Sequence, residues 1–212
     1  MTLRLRQHRA AAILVHGFMN FKVILIGPIS AGKSTLSNLI AEKLGIPCRH
    51  MDQVRIRYYK EIGYDDDLAE QIHMKDGFLG LYRYWKPFEA HAVERLLSEN
   101  EDVVIDFGGG HSVYEDDALF ARVQKVMAPY PYVILILPSR DKEKSLKILN
   151  DRTGGVVSEG FDFHEHFVSH HSNYDLAEHI VYTEGKTPVE TCAEIIELIK
   201  SSRQATLSNE EG

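Results

Sequence analysis

The chain has 212 residues, enough for one domain with a substantial core and at most an inserted lid. A net charge of −7 leaves no basic surplus to neutralise a phosphate backbone, which argues against a nucleic-acid groove. Cys48 and Cys192 stand far apart without metal-ligand spacing and read as small buried hydrophobes of a reducing cytoplasm, and no apolar run approaches the ~20 residues that span a bilayer.

The first twenty residues, MTLRLRQHRAAAILVHGFMN, carry Arg4, Arg6 and Arg9 with no acidic residue, then a short apolar patch from Ala10 to Val15. That patch is too short for a secretory signal, so 1–20 read as an N-terminal extension, with an organelle-targeting peptide as the alternative. The domain is expected over 21–202, and 203–212, ending in SNEEG, reads as a solvated tail.

Val23 to Ile26 is an apolar run without alternation, the pattern of a strand buried on both faces. Gly27–Pro28–Ile29–Ser30–Ala31–Gly32–Lys33–Ser34 then fits G-x-x-x-x-G-K-[ST] at every specified position. Leu36, Leu39, Ile40 and Leu44 recur at helical spacing until Gly45 and Pro47 stop the helix. Strand, loop and helix thus follow in the order a phosphate cradle needs. The glycines let N–H groups point inward, and the helix N-terminus adds partial positive charge. Gly27, Ser30, Ala31, Gly32, Lys33, Ser34 and Thr35 are the expected ATP contacts, with Lys33 on the β- and γ-phosphates and Ser34 on Mg2+.

Further along, IPCRHMD is a short strand expected to end at Asp52, which also reads as a helix N-cap before Val54. Val54 to Asn100 form a long helical region with expected breaks near Gly63, Gly77 and Pro87. DVVIDF is a second buried strand, closed by Asp106 and the turn Gly108–Gly109–Gly110. A helix around Glu115 to Met127 leads to the strand YVILILP, and another runs from about Asp141 to Arg152. A glycine-rich lid at about 153–165 precedes a histidine-rich helix, the last strand HIVYT and a helix from Pro188 to Lys200. Five strands separated by helices imply an α/β fold with a parallel sheet covered on both faces. Ligands of such sheets sit outside the carboxyl ends of the strands, where Gly27, Asp52, Asp106 and Pro138 would converge.

Asp106, at the end of an apolar run near the phosphate loop, is expected to face Mg2+. Arg152 at the start of the lid reads either as a residue that stacks on adenine or touches phosphate or as a solvated helix-end arginine. His164, His166, His170 and His171 lack both a cysteine and an H-E-x-x-H pattern, so they read as surface or lid histidines. Trp85, Tyr82, Tyr84 and Phe88 read as acceptor-pocket or core residues. Asp106 to Gly109 meets the D-x-x-G spacing of GTPases, yet no N-K-x-D guanine reader occurs.

The segments GPISAGKST, HMD, WKPFEAHAVERLL, VVIDFGGGHSV, YVILILPSRDKEKSLKILNDR and YDLAEHIVYTEGKTPVETCAEII together resemble, in order and spacing, shikimate kinase, a branch of the nucleoside-monophosphate-kinase fold. The likeness spans Phe21 to Lys200. It implies a three-layer P-loop kinase fold with a five-stranded parallel sheet, helices on both faces and a small lid. Asp52 matches the family's aspartate that holds the acceptor hydroxyl and could act as its base, and Gly108, Gly109 and Gly110 match the glycine turn facing the acceptor. Ser30 stands where the family usually has a third glycine, and His50 where it has a second aspartate.

Lys86 falls at the arginine of the family's F-R-x-x-E, with Glu89 retained, and Asp175 at another of its arginines. No arginine occurs between Arg152 and Arg203. Lysine is a point charge where a guanidinium fork grips a carboxylate best, so the carboxylate clamp is largely missing. Arg55, with Arg57 and Arg83, is a candidate to rebuild it. The resulting expectation is an ATP- and Mg2+-dependent kinase that phosphorylates a hydroxyl of a small polar metabolite. It would act in the cytoplasm as a monomer or weak dimer, without nucleic acid or membrane. A nucleoside, nucleotide or toxin-like sugar-nucleotide kinase, and a nucleotide-dependent regulatory protein, are the alternatives.

Overall fold

Five parallel strands run through the centre of the computed structural model, which describes residues 21–158 and 160–210. They are β1 (Lys22–Ile26), β2 (Cys48–His50), β3 (Val103–Asp106), β4 (Val133–Leu137) and β7 (His179–Tyr182), in the order β2-β3-β1-β4-β7. A separate antiparallel hairpin pairs β5 (Val157–Ser158) with β6 (Phe161–Asp162). The helices are α1 (Lys33–Leu44), α2 (Met51–Glu61), α3 (Asp66–Ser98), α4 (Asp117–Met127), α5 (Lys142–Thr153), α6 (Phe163–Ser169), α7 (His171–Leu176) and α8 (Pro188–Glu210).

The unbroken apolar runs of β1 and β4 are explained by a core on each face of the sheet. Ile24, Ile26, Val103, Ile105, Val133, Leu135 and Leu137 face one way and pack with Phe88, Val93, Leu96 and Leu97 of α3. Their alternating neighbours Val23, Leu25, Val104, Ile134, Ile136 and Val181 pack with Leu36 and Ile40 of α1 and Ile195 and Ile199 of α8. Successive side chains of a strand point to opposite faces, so the parity is strict. Because β1 lies between β3 and β4, the chain turns to opposite sides of the sheet at its carboxyl end. That switch point is where such sheets bind ligands, and the loop after β1 occupies it.

Side-chain caps start several helices. Asp65, Asp116 and Asp141 accept the backbone N–H groups of Leu68, Leu119 and Lys144. The expected breaks are met differently. Gly63 turns the chain at φ 86°, and Gly77, at φ 62° and ψ −163°, kinks α3. Pro87, expected to break the helix, lies inside it. It and Arg83, whose carbonyl it leaves without a donor, are both exposed, so water can satisfy that oxygen.

Three other expectations are corrected. Asp52 neither ends a strand nor caps a helix: β2 stops at His50, which is the N-cap, and Asp52 belongs to the first turn of α2. The tail expected at 203–212 is helical as far as Glu210. Of the histidines read as surface or lid residues, His164, inside the stretch expected as the lid, is not at the surface but fully buried, and its Nε2 lies 2.9 Å from the Thr153 hydroxyl. The expected N-terminal extension, 1–20, lies outside the described residues. Among the described residues no helix is long and apolar enough to cross a membrane.

Candidate active site

The loop from Gly27 to Gly32 joins β1 to α1. Gly27 has φ 131°, and a Cβ there would meet the Ile136 carbonyl oxygen at 2.5 Å, so β4 leaves room only for glycine. Gly32, the N-cap of α1, has φ 98°. Ser30 has φ 61°, a left-handed conformation no other non-glycine adopts among the described residues. Lys33 bends back over the loop, its Nζ donating to the carbonyls of Gly27 at 2.9 Å and Pro28 at 2.8 Å. Burial pushes its ammonium below the ordinary lysine value, against the pull of Asp106 and then Asp52. Arg152, at the end of α5, donates to the Ser30 carbonyl at 2.8 Å and so ties that helix to the loop. Ala31 is buried and Thr35 is exposed on the first turn of α1.

Beside the loop, the Ser34 hydroxyl donates to Asp106 Oδ2 at 2.6 Å, and His50 Nδ1 lies 3.1 Å from the same oxygen. The other oxygen, Oδ1, is buried without a hydrogen-bond partner among the described residues. A hydroxyl beside a carboxylate with one orphaned oxygen suits a hard divalent cation such as Mg2+, which takes oxygen ligands and retains waters.

The glycine turn after β3 is hemmed in by side chains. A Cβ on Gly108 would lie 2.4 Å from Asp52 Oδ1, one on Gly109 2.4 Å from Ile29 Cγ1, and one on Gly110 2.5 Å from Glu89 Oε1. None of the three has positive φ, so close approach, not backbone conformation, is what demands glycine here. Arg55, one turn after Asp52 on α2, has Nε 3.9 Å from Asp52 Oδ1 and its guanidinium 4.7 Å from the Trp85 ring centroid. His111 is buried, with Nε2 3.1 Å from the Tyr59 hydroxyl, and Nδ1 has no hydrogen-bond partner among the described residues. Burial, then Arg55, Lys86 and Lys33, hold its ring neutral by pushing its pKa well down.

Lys86 does not present a free charge. Its Nζ meets three acceptors: Gly110 O and Val113 O at 3.0 Å each, and Glu89 Oε2 at 2.5 Å. It also lies 3.9 Å from the Tyr82 ring centroid, and only 6% of the residue is exposed. Two of these contacts, to carbonyls at and just after the glycine turn, tie that segment to α3, and the third is an ion pair within α3, so the ammonium is buried among protein acceptors. Burial raises the pKa of Glu89, opposed first by Lys86 and then by Arg55.

Of the candidate arginines, Arg55 alone stands by Asp52. Arg57 pairs with Glu99 at 2.8 Å, and Arg83 lines a separate surface cavity with Ile72, Asp76, Leu79 and Gly80. Asp175 pairs with His171 at 2.8 Å across a turn of α7. The aromatic residues divide: Phe88 belongs to the main core, Tyr82 packs with Phe163 and Phe167, and Trp85 carries Arg55. The sequence reading passed over His111 and Tyr59, although His111 directly follows the three glycines.

This arrangement is that of the P-loop kinases. A solved shikimate kinase from Acinetobacter baumannii, in complex with shikimate, has a similar fold at a TM-score of 0.59; it is 19% identical, with 86% of this chain and 94% of that one covered. Sequence comparison goes further. The shikimate kinase of Caldicellulosiruptor bescii is 30% identical over 129 residues, which cover 59% of this chain and 69% of that protein. That of Streptomyces coelicolor is 26% identical over 190 residues, covering 84% and 95%. No family model matches. The chain belongs to the shikimate kinase family. It is therefore a small-molecule kinase, an ATP-dependent phosphotransferase.

Proposed function

We propose that the chain transfers the γ-phosphoryl group of ATP to a hydroxyl of a small, anionic, polar metabolite, and that shikimate is a poor acceptor. The observation that carries this reading is the seat of Asp52. Its carboxylate lies against Gly108 and beside Arg55, and is close enough to Lys33 to act on its charge. In this reading Asp52 accepts the proton of the acceptor hydroxyl and orients it, while the Arg55 fork takes the acceptor's anionic group. Gly27, Ser30, Ala31, Gly32, Lys33 and Thr35 cradle the phosphates, and Arg152 closes over the same loop. Ser34 and Asp106 would hold Mg2+, which neutralises charge on the phosphates. Segment 153–165 acts as a lid that excludes water.

The case against shikimate rests on charges. Lys86 stands where the family has an arginine, and its ammonium is buried against two carbonyls and the Glu89 carboxylate. No arginine occurs between Arg152 and Arg203. A lost charge-assisted contact typically costs ~1.5–3 kcal/mol, so two would lower efficiency by roughly two to four powers of ten. The test is an ADP-release screen with MgATP against hydroxylated carboxylates and phosphates, shikimate included. Release stimulated by a small acceptor other than shikimate, and abolished in Lys33→Ala, is expected. Stimulation only by a protein would overturn the kinase reading, and rapid turnover of shikimate the acceptor reading.

A further inference from the structure

Away from the phosphate cleft, three side chains from separate stretches of the chain converge. Glu115 lies between the glycine turn and α4, His166 on α6, and His170 at the junction of α6 and α7. One carboxylate oxygen of Glu115 and one ring nitrogen from each histidine all lie within 4.8 Å of one another. His166 Nε2 is 2.7 Å from Glu115 Oε1, and the two imidazole centroids are 5.0 Å apart. The Tyr82 hydroxyl donates to the same carboxylate oxygen at 2.7 Å.

We propose that Glu115, His166 and His170 form a binding site for a borderline divalent cation of the zinc type, one that pins α6 and α7 to the segment carrying the glycine turn. A Glu115–His166 ion pair alone would give His170 no part in the cluster. Two imidazoles with one carboxylate suit zinc, cobalt or nickel, whereas magnesium and calcium take oxygen ligands. This site is therefore chemically distinct from the oxygen-only pair Ser34 and Asp106. Ligand atoms on a tetrahedral ion stand about 3.4 Å apart, so side-chain rotations would narrow the 4.8 Å spread and open the 2.7 Å contact between His166 and Glu115.

Existing contacts compete with a cation. His166 Nε2 lies 2.7 Å from Glu115 Oε1 and 3.2 Å from the Tyr82 hydroxyl, and a cation would take the place of the proton held there. The Ser172 N–H reaches His170 Nδ1 at 3.3 Å and caps α7. A cation on the opposite nitrogen moves the ring proton onto Nδ1 and ends that bond. The bond is long, near the upper limit for an N–H donor, and a metal–imidazole bond outweighs it. Tyr82 supplies the hydrogen bond that orients Glu115, as partners behind metal ligands do.

The test titrates Co2+ into the full chain with Mg2+ in excess, read by visible d–d absorption and by equilibrium dialysis. One Co2+ per chain, displaced by Zn2+ and indifferent to Mg2+, is expected. His170→Asn retains an oxygen to cap α7, so it preserves the fold while removing the ligand; His166→Gln is the second variant. Each should weaken Co2+ binding by about tenfold or more. Isotherms unchanged in both variants, or no binding to the unaltered chain, overturn the site.

Discussion

The carboxylate of Asp52 rests on Gly108 so closely that a Cβ on that glycine would stand 2.4 Å from Oδ1. The obstructing atom is the end of a side chain that is 66% exposed, so Asp52 can swing aside without disturbing the core. Gly108→Ala is therefore expected to keep its melting temperature while moving the group proposed to orient the acceptor. A displacement of about 1 Å at such a position costs on the order of 10²-fold in rate. Steady-state kinetics should show kcat falling by that order, with MgATP affinity nearly unchanged by calorimetry. An unaltered kcat would remove Asp52 from the chemistry.

Much of this architecture is readable from pattern, because its cause is local. Runs such as VILI and VILIL declare strands covered on both faces, and the G-x-x-x-x-G-K-S loop lies between strand and helix as its spacing requires. What pattern does not disclose is which partners meet across the chain. Lys86 looks like a weakened arginine in one dimension, but two carbonyls from 24 and 27 residues away have claimed its ammonium. Glu115 and His166, 51 residues apart, likewise meet only once α6 folds over the segment after β3. Pro87 misleads for a related reason, since exposure decides whether a proline breaks a helix.

Ser30 holds a left-handed conformation, at φ 61°, in the middle of the phosphate loop. That geometry costs a residue with a Cβ about 1–2 kcal/mol, whereas glycine loses about 0.5–1 kcal/mol of extra chain entropy on folding. Ser30→Gly is thus expected to be neutral or to stabilise by up to ~1 kcal/mol. Ser30→Val should destabilise, because a β-branched residue tolerates this region worst. Denaturant midpoints of the two variants check the signs; a destabilised glycine variant would mean the Ser30 side chain makes a contact that outweighs the strain.

The pair Lys86 and Glu89 makes a prediction in pH. Glu89 has its folded pKa raised by burial, so between its ordinary value of 4.5 and that raised value the folded protein binds more protons than the unfolded chain. Stability contributed by this group is therefore present at low pH and lost as pH rises through that window. Lys86→Met removes the largest influence holding the pKa down, so Glu89 should rise further. Stranding a buried carboxylate costs about 3–5 kcal/mol. The deficit of the variant should shrink towards pH 4.5, where protonation relieves it, and grow towards pH 8. Melts across that range give the answer, and a deficit independent of pH would show that Lys86 acts by packing alone.

Arg55 is the last and most specific case. Its guanidinium lies over Trp85 with its Nε 3.9 Å from Asp52, so stacking holds the fork beside the proposed acceptor site. With Lys86 buried against two carbonyls and Glu89, and Arg57 and Arg83 turned to other partners or surfaces, it is the candidate clamp residue that stands beside the proposed acceptor aspartate. Arg55→Ala should raise KM for the anionic acceptor found by screening by about 10–100-fold, the equivalent of one charged hydrogen bond. KM for ATP should stay constant, because the phosphates are proposed to be held by the loop from Gly27 to Thr35 and by Arg152, not by Arg55. Arg55→Lys should rescue little, since a point charge can neither stack nor grip two oxygens at once. The same kinetics measured with an uncharged analogue of that acceptor should be indifferent to both substitutions. Equal losses for charged and uncharged acceptors would mean that Arg55 supports Asp52 and does not touch the substrate's charge.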